Sequence, residues 1–205
     1  VVGGLSPYLS PAFVRFELFL VGYCEHVFTV PSVDNRLEKR FSRVDTTIVT
    51  LQNVPRRSEG DLPAPSECNL YDPDLTTLIY VGGLSREKGA LDMAKAITEA
   101  ADRSNETIQA FIIGSFNDDS QTDVENHLAS DDIDGRIHLI GFVPYDEVLP
   151  YLAASDIALH LYRDTPWNRR STGSSKLYRY MAAELPIVSS DLPGIGGVVT
   201  ENDCG

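Results

Sequence analysis

Apolar residues in the second half of the chain gather in short runs separated by polar, glycine-containing segments. Strands are predicted over Leu75–Val81, Gln109–Ile113, Arg136–Ile140, Asp156–Leu161 and Pro186–Val188. Uninterrupted apolar runs, such as the first of these, are typical of strands in a sheet that is covered on both faces. Helix-like segments alternate with the runs, and this order predicts an α/β fold, a Rossmann-like, doubly wound parallel sheet.

Helices are predicted over Ala90–Ala101, Thr122–Ser130, Val148–Ala154 and from Ser174 to about Ala183. Thr122 and Glu125 have the spacing of a capping box, which places a helix start at Thr122. In the last helix, Leu177 and Tyr180 belong to an apolar face, and Ser174 can cap the first turn. The segment from Pro193 to Gly197 is predicted as a loop.

Residues 1–55 have a similar but shorter pattern. A helix is predicted from near Pro11, a strand over His26–Val30, a helix over Val33–Phe41 and a strand over Thr46–Leu51. We interpret residues 1–55 either as the tail of a larger upstream domain or as elements that pair with the domain that follows. Residues 56–74 are rich in proline and polar residues and form the predicted linker, and residues 75–205 form a C-terminal domain.

Composition places the chain among globular proteins and excludes two classes of partner. Of the 205 residues, 42% are hydrophobic and 23% are charged, which is enough to form a core. The formal net charge of -13 argues against nucleic acid and against anionic membrane surfaces, which both require cationic footprints. Its arginine-rich acidic surface fits either a salt-rich cytoplasm or an ordinary acidic cytosolic protein.

Cysteine and histidine usage indicates a cytoplasmic protein without a metal site. Cys24, Cys68 and Cys204 are odd in number and far apart, so reduced thiols are expected. No histidine has metal-ligand spacing, and His160 lies in an apolar run that favours a core position. The aromatic residues near strand ends could line a sugar or base site, although core packing is expected for them: Phe142, Tyr145 and Trp167.

Candidate binding residues follow two of the predicted strands. In parallel sheets ligands bind at the carboxyl ends of the strands, where the strand order reverses. Gly83 would let the main chain approach a ligand there, and Lys88 suits a phosphate. Ser174, Ser175 and Lys176 begin a helix, whose N-terminus attracts anions. An ordinary capped helix and a solvated lysine are the alternatives. Neither a dinucleotide-binding nor a P-loop glycine pattern is present.

Several strings together resemble one enzyme family. They are NVP at Asn53–Pro55, YVGGLSREKGALDMAKAI at Tyr80–Ile97, FIIGS at Phe111–Ser115, IHLIGFVPYDEVLPYLAASDIAL at Ile137–Leu159 and SSKLYRYMAAELPIVSSDLPG at Ser174–Gly194. This combination is similar to the C-terminal half of GT-B glycosyltransferases of the retaining family called family 4 or group 1. The resemblance covers the chain from about residue 20 onward. It implies that residues 1–55 are the tail of an N-terminal, acceptor-side Rossmann-like domain, and that residues 75–205 are a nucleotide-sugar-binding domain truncated at its C-terminal end.

The resemblance implies a retaining glycosyltransferase (EC 2.4) with a nucleotide-sugar donor and a glycan, lipid-linked or small-molecule acceptor. Lys88 would contact the donor diphosphate, amides around Ser174–Lys176 would hold phosphate, and main-chain groups of Phe142 and Val143 would face the base. No cofactor or metal is implied.

The resemblance assigns no catalytic residue within the 205 residues. Catalytic groups are expected upstream of Val1, in the part of the N-terminal domain that would precede the chain. Peripheral contact with the inner face of a membrane would belong to the same upstream part.

Five positions depart from the family pattern. Gly83 stands where arginine is usual, and Ser171 and Arg179 stand where a glutamate pair is usual; Glu184 replaces a glycine and Gly197 a glutamate. Arg179 could bind donor phosphate, because guanidinium pairs well with phosphate, or it could be structural. These departures motivate an alternative function, a catalytically weakened GT-B module with a binding or scaffolding role.

Overall fold

The computed structural model describes residues 9–31, 33, 35–54, 62–130, 135–170 and 174–205. Its first elements are α1 (Leu9–Val21), β1 (His26–Thr29), α2 (Arg36–Phe41) and β2 (Thr47–Thr50). The two strands pair in parallel, with His26 opposite Thr47 and Thr29 opposite Thr50. This α-β-α-β order confirms the predicted elements to within a few residues, whereas the domain boundaries drawn around them stay predictions.

The second half of the chain contains the main sheet. Its strands are β3 (Thr76–Val81), β4 (Ile108–Ile113), β5 (Ile137–Gly141), β6 (Ile157–His160) and β7 (Ile187–Ser189). Its helices are α3 (Ala90–Arg103), α4 (Ser120–Ser130), α5 (Leu149–Ala153), α6 (Ser175–Ala182) and α7 (Ile195–Glu201). Short 3-10 turns cover Pro65–Glu67, Tyr145–Val148 and Asn168–Arg170.

The five strands are all parallel and follow the order β5-β4-β3-β6-β7. The chain moves outward in one direction from β3 to β5 and then returns to add β6 and β7 on the other side. The strand order therefore reverses between β3 and β6, and the loops that follow these two strands diverge there. This topology confirms the predicted doubly wound sheet and places its switch point between β3 and β6.

Side chains of the central strands divide into two cores, one on each face of the sheet. Ile79 and Val81 pack with Phe111 and Ile113 in one cluster. The intervening residues, including Leu78 and Tyr80, pack in the other cluster. Because successive side chains on a strand point to opposite faces, this division shows that both faces are covered, as the uninterrupted apolar runs predict.

The predicted start of α4 is wrong by two residues. The helix begins at Ser120 rather than at Thr122. Asp118 provides the cap, since its Oδ1 accepts a hydrogen bond from the main-chain N–H of Ser120 at 3.1 Å. An aspartate just before the first turn satisfies an amide that has no helical partner. Thr122 therefore lies inside the first turn, and the capping box was the wrong signal.

The predicted loop at Pro193–Gly197 is also wrong, because α7 begins inside it at Ile195. Ile195 and Val199 are buried on one side of this helix. A Cβ on Gly196 would lie 3.2 Å from the Cα of Asp191, so glycine permits close packing against that segment. Burial of the apolar residues outweighs the low helix propensity of two adjacent glycines.

The segment predicted as a linker packs against the sheet where the structure describes it. Cys68 is buried in one core cluster, and Leu62 and Leu70 pack against the same cluster. Residues 56–61 lie outside the described part of the chain. Within that part, every helix is too short or too polar to cross a membrane.

Candidate functional site

A groove follows the carboxyl edge of the sheet at the switch point. It consists of two adjoining cavities of about 400 Å³ and about 460 Å³. Both cavities are lined by Val81, Gly82 and Gly83, at the end of β3, and by Arg179 of α6. Because they share these residues, we treat them as two halves of one groove.

The first cavity, called here the polar half, is rich in cations. Apart from the shared residues, it is lined by Asn53, Lys88, Tyr162, Ser174, Ser175 and Lys176. Together with Arg179, the two lysines place three cationic side chains around the groove. Among the described residues that line either half, none is a carboxylate. In a chain with a net charge of -13, this local excess of positive charge indicates an anion site.

Lys176 lies between two tyrosine rings at the floor of the polar half. Its Nζ donates a hydrogen bond of 2.8 Å to Tyr80 Oη. The amine is 4.1 Å from the ring centroid of Tyr80 and 5.0 Å from that of Tyr162. Burial, and then the positive charge of Lys88, lower the pKa of Lys176 to about 7. An anion bound there would offset the repulsion from Lys88 and would favour the charged form of the Lys176 amine.

Two tyrosines fix the end of β3 beneath the groove. Tyr80 Oη donates to the main-chain oxygen of Gly83 at 3.1 Å, so its lone pairs face Lys176. Tyr180 Oη, fully buried, accepts from the main-chain N–H of Val81 at 2.8 Å. Burial raises the pKa of Tyr80, which keeps this hydroxyl protonated. The loop after β3 is thus attached to α6 and to the core by hydrogen bonds.

Close main-chain contacts require glycine at the ends of β3 and β4. Gly82 and Gly114 both have a positive φ, of 144° and 145°. A Cβ on Gly114 would lie 2.0 Å from the main-chain oxygen of Gly82, and a Cβ on Gly82 would lie 2.6 Å from Lys176 Nζ. Any side chain at residue 114 would therefore push the two loops apart.

Gly83 leaves space for two polar side chains. A Cβ at this position would lie 2.6 Å from Asn117 Nδ2 and 3.3 Å from Lys88 Nζ. The amide and the amine thus come together beside the main chain of Gly83, over the end of β3. Asn117 lines the apolar half of the groove and was missed by sequence analysis. Its position in the polar loop after β4 was the available signal.

The start of α6 presents main-chain amides to the polar half. Ser174 is the N-cap residue, and its side chain makes no capping hydrogen bond. The first helical bond runs from the N–H of Leu177 to the oxygen of Ser174. The amides of Ser175 and Lys176 precede this bond, and such amides are available to an anion.

The second cavity, called here the apolar half, is lined mainly by exposed rings and aliphatic groups. Phe142 is 76% exposed and Tyr145 is 45% exposed, so the expectation of core packing is wrong for both. The guanidinium of Arg179 lies over Tyr145, with its Cζ 3.7 Å from the ring centroid. Arg179 is therefore held against an aromatic face at the boundary between the two halves.

Trp167 behaves differently from the other two aromatics. It is 74% exposed, so core packing is again wrong, but it lines neither half of the groove. The neighbouring Arg169 forms an ion pair with Asp164.

A metal site is not assembled in the described part of the chain. Across its ranges, no three histidine, cysteine, aspartate or glutamate residues come together in a way that could hold an ion. His160 is buried behind Ser174, and His127 shares a hydrogen bond with Thr98. That the protein needs no metal or cofactor stays a prediction.

Comparison with known families decides the classification. The family model described as glycosyl transferases group 1 matches residues 76–205, which include the whole main sheet. The chain belongs to this family. A search of curated protein sequences gave no match.

Several solved structures, glycosyltransferases among them, share the fold of this chain. A glycosyltransferase from Rickettsia africae has a TM-score of 0.64 at 12% identity and covers 98% of this chain and 52% of its own. HepE from Anabaena, solved with UDP and glucose, has a TM-score of 0.63 at 15% identity. The match covers 95% of this chain and 52% of the HepE chain. The pneumococcal O-GlcNAc transferase GtfA, solved with UDP and GlcNAc, has a TM-score of 0.57 at 19% identity. The match covers 81% of this chain and 30% of the GtfA chain. The chain thus spans about a third to a half of these structures.

The group 1 fold brings the predicted binding residues into one groove. The predicted diphosphate residues all line the polar half or its boundary: Gly83, Lys88, Ser174, Ser175, Lys176 and Arg179. Both predicted base-binding residues line the apolar half: Phe142 and Val143. Their ligands stay predictions.

Two of the predicted positions cannot be compared with the groove. Ser171, the other expected glutamate position, lies outside the described residues. Val1 also lies outside them, since the description begins at residue 9, and the catalytic groups were expected still further upstream of Val1. The location of the catalytic groups therefore stays a prediction.

Several lining or supporting residues of this group 1 chain were missed. They are Asn53, Tyr80, Asn117, His160 and Tyr162. Asn53 belongs to the short NVP string before the predicted linker, which was the available signal. Tyr80 and His160 lie inside apolar runs, so the sequence pattern indicates only that they are buried.

Proposed function

We propose that this chain is the donor-binding half of a retaining glycosyltransferase that uses a nucleotide-sugar donor. The observation that carries the proposal is the groove at the switch point, where three cationic side chains meet the N-terminus of α6 without a carboxylate among the described lining residues. A nucleoside diphosphate matches this groove, because it joins a strong anion to a flat base whose faces can stack on exposed rings.

The two halves suggest how the donor lies. The diphosphate would occupy the polar half, with Lys176 and Lys88 beside it and the amides of Ser175 and Lys176 facing it. The base would lie in the apolar half, against Phe142 and Val143. Arg179, on the boundary, would face the nucleoside or its nearest phosphate.

Glycosyl transfer breaks the bond between the sugar and the diphosphate, and negative charge develops on the leaving group. Preorganised donors and cations stabilise such charge best when they need not rearrange during the reaction. Lys176 meets this condition, since Tyr80 already positions its amine. The polar half could therefore assist departure through side chains and amides of this chain. Retention at the sugar carbon is supported by the family resemblance.

Two related folds suggest UDP as the first nucleotide to test, because HepE and GtfA were both solved with UDP. The acceptor, a glycan, a lipid-linked glycan or a small molecule, would bind outside the described groove. Contact with the cytoplasmic face of a membrane would likewise depend on the acceptor side of the whole protein.

Calorimetric titration tests the proposal. We expect UDP or GDP to bind, and uridine and guanosine to bind at least about tenfold more weakly, because they lack the charge that the polar half attracts. The nucleosides are the matched controls. Equal affinity for nucleoside and nucleoside diphosphate, or no binding of either diphosphate, would refute donor binding in this groove.

A second function, binding without turnover, is favoured by one observation. Arg179 stands where the family resemblance leads one to expect a glutamate, and it lies on Tyr145 at the middle of the groove. Arginine cannot accept hydrogen bonds from ribose hydroxyls. Release of nucleoside diphosphate from a bound donor in the presence of acceptor glycans distinguishes the two functions, since a binding module would retain the donor unchanged.

A further inference from the structure

His160 is a fully buried polar residue directly behind the polar half of the groove. It is the last residue of β6, where it pairs with Ser189 of β7, and its exposed fraction is 0%. Its Nε2 lies 2.9 Å from Ser174 Oγ, the side chain of the N-cap residue of α6. His160 does not line the groove itself, so any effect on a ligand must pass through another residue.

The imidazole of His160 is neutral. Burial, and then the charge of Lys176, lower its pKa to about 3, and together they outweigh an interaction of the imidazole with its own main chain that acts in the opposite direction. A neutral imidazole has one N–H donor and one bare nitrogen acceptor. In the described part of the chain, Nδ1 of His160 is buried and has no hydrogen-bond partner. The single proton therefore has two possible positions, which differ in what they do to Ser174.

With the proton on Nδ1, a buried N–H would have no acceptor, and Nε2 would accept the hydroxyl proton of Ser174. The serine would then turn lone pairs toward the groove, which repels an anion. With the proton on Nε2, His160 would donate to Ser174 Oγ, and the hydroxyl proton would be free to point into the groove. Only this second arrangement gives an anion beside Ser175 and Lys176 an additional donor.

We propose that His160 is a positioning residue of the anion site: its Nε2–H donates to Ser174 Oγ and so directs the hydroxyl proton of Ser174 toward the bound anion. The inference rests on the proposed function, because it assumes that the polar half holds a phosphate group. It assigns a role to the buried imidazole and explains why the Ser174 side chain does not cap its own helix.

NMR of the imidazole nitrogens in the ligand-free 205-residue chain tests the proton position directly. The expected result is a protonated Nε2 and a bare Nδ1 at neutral pH. This measurement needs no substitution in His160 and so cannot fail through misfolding. A proton on Nδ1 would overturn the proposal.

A double-mutant cycle tests the connection to the ligand, with UDP as the probe and calorimetry as the readout. We expect His160→Leu and Ser174→Ala each to weaken UDP binding by about tenfold, because each removes the same donor. The double variant should be no weaker than the single ones. His160→Gln, which keeps a side-chain N–H donor, should recover most of the loss.

The possible outcomes distinguish a wrong role for His160 from a wrong proposed function. Normal binding of UDP by the unchanged chain, combined with losses that multiply in the double variant, would overturn the role of His160 alone. Failure of the unchanged chain to bind any nucleoside diphosphate would overturn the proposed function and this role together. Thermal unfolding of each variant shows whether a loss of affinity reflects loss of folded protein. If His160→Leu does not fold, the proton position measured by NMR in the unchanged chain decides.

Discussion

The two halves of the groove are built in different ways. In the polar half, the Lys176 amine is hydrogen-bonded to Tyr80, and the Ser174 hydroxyl is hydrogen-bonded to the buried His160. In the apolar half, Phe142 is 76% exposed, and Tyr145 is 45% exposed with Arg179 over its ring. Groups that are fixed before binding lose little freedom on binding, whereas exposed rings must be ordered. If a nucleoside diphosphate binds in the groove as proposed, we therefore expect the polar half to supply most of the affinity.

The polar half also carries an energetic cost when it is empty. A charged amine that is partly withdrawn from water, with no carboxylate among the described residues that line its cavity, is unfavourable, and the lowered pKa of Lys176 reflects this. The protein therefore keeps a group in place that an anion would stabilise. No comparable cost is visible among the described residues of the apolar half, where the rings remain in contact with solvent.

The largest expected effect is the removal of the Lys176 charge. Lys176→Met should weaken UDP binding by roughly 10- to 100-fold, because a charge-assisted hydrogen bond in a buried setting is lost. Lys95→Met, on the exposed side of α3, is the matched control and should have no effect. Calorimetric titration measures both. If the two variants bind UDP equally well, the comparison between the halves is wrong.

The same substitution should raise stability. The pKa of Lys176 is about 7 in the folded chain and near the ordinary value of 10.5 in the unfolded chain. Between these values the unfolded chain binds more protons, so the charge penalty grows as pH falls toward 7. Lys176→Met removes the penalty and should raise the thermal midpoint at pH 7, with a smaller gain at pH 10. A lower midpoint would show that packing of the lysine side chain dominates.

The contrast between the halves also explains what sequence analysis could and could not find. Lys88 and Ser174–Lys176 follow predicted strands, and in a parallel sheet such positions meet at one edge, so both could be placed in advance. The direction in which a side chain inside a buried run points could not be predicted. Tyr80 and His160 lie in apolar runs, but their polar atoms contact the lining residues Lys176 and Ser174 only because of the packing of α6 against β3 and β6.

Tertiary contacts and local caps also explain why two helix predictions were wrong. The helix α7 contains Gly196 and Gly197, which local propensity assigns to a loop, yet burial of Ile195 and Val199 stabilises it. The start of α4 depended on which of several polar residues caps it, and Asp118 does so. The strand pattern was easier to predict, because a covered parallel strand requires apolar residues at successive positions.

The pH dependence of binding gives an intermediate effect. If only the charged form of Lys176 holds the anion, UDP affinity should fall about fivefold between pH 7 and pH 8, because the charged fraction of a group with a pKa of about 7 falls from half to a tenth. Burial raises the pKa values of the facing Tyr80 and Tyr162, so they do not titrate in this range.

Lys176→Met serves as the control for this prediction, since it should remove the fall in affinity. Titrations at several pH values in buffers of equal ionic strength measure the effect. An affinity that is constant from about pH 6.5 to about pH 8.5 in the unchanged chain would contradict the role of Lys176 as the titrating group.

The smallest effect is expected in the apolar half. Tyr145→Ala should weaken UDP binding by about threefold, because the ring contributes a partly exposed aromatic surface and supports Arg179. Tyr145→Phe keeps the ring beneath the guanidinium and should lose less affinity than Tyr145→Ala. Trp167→Ala, outside the groove, controls for the loss of an exposed aromatic.

These three variants can also reverse the comparison between the halves. If Tyr145→Ala weakens UDP binding as much as Lys176→Met does, the apolar half must already be ordered before binding, and the exposure of its rings is a poor guide to their contribution. A loss restricted to UDP, with GDP binding unchanged, would instead make Tyr145 a residue that selects the base. The expected result, a small and equal loss for both nucleotides, follows because a ring that mainly supports Arg179 acts on a part of the donor that UDP and GDP share.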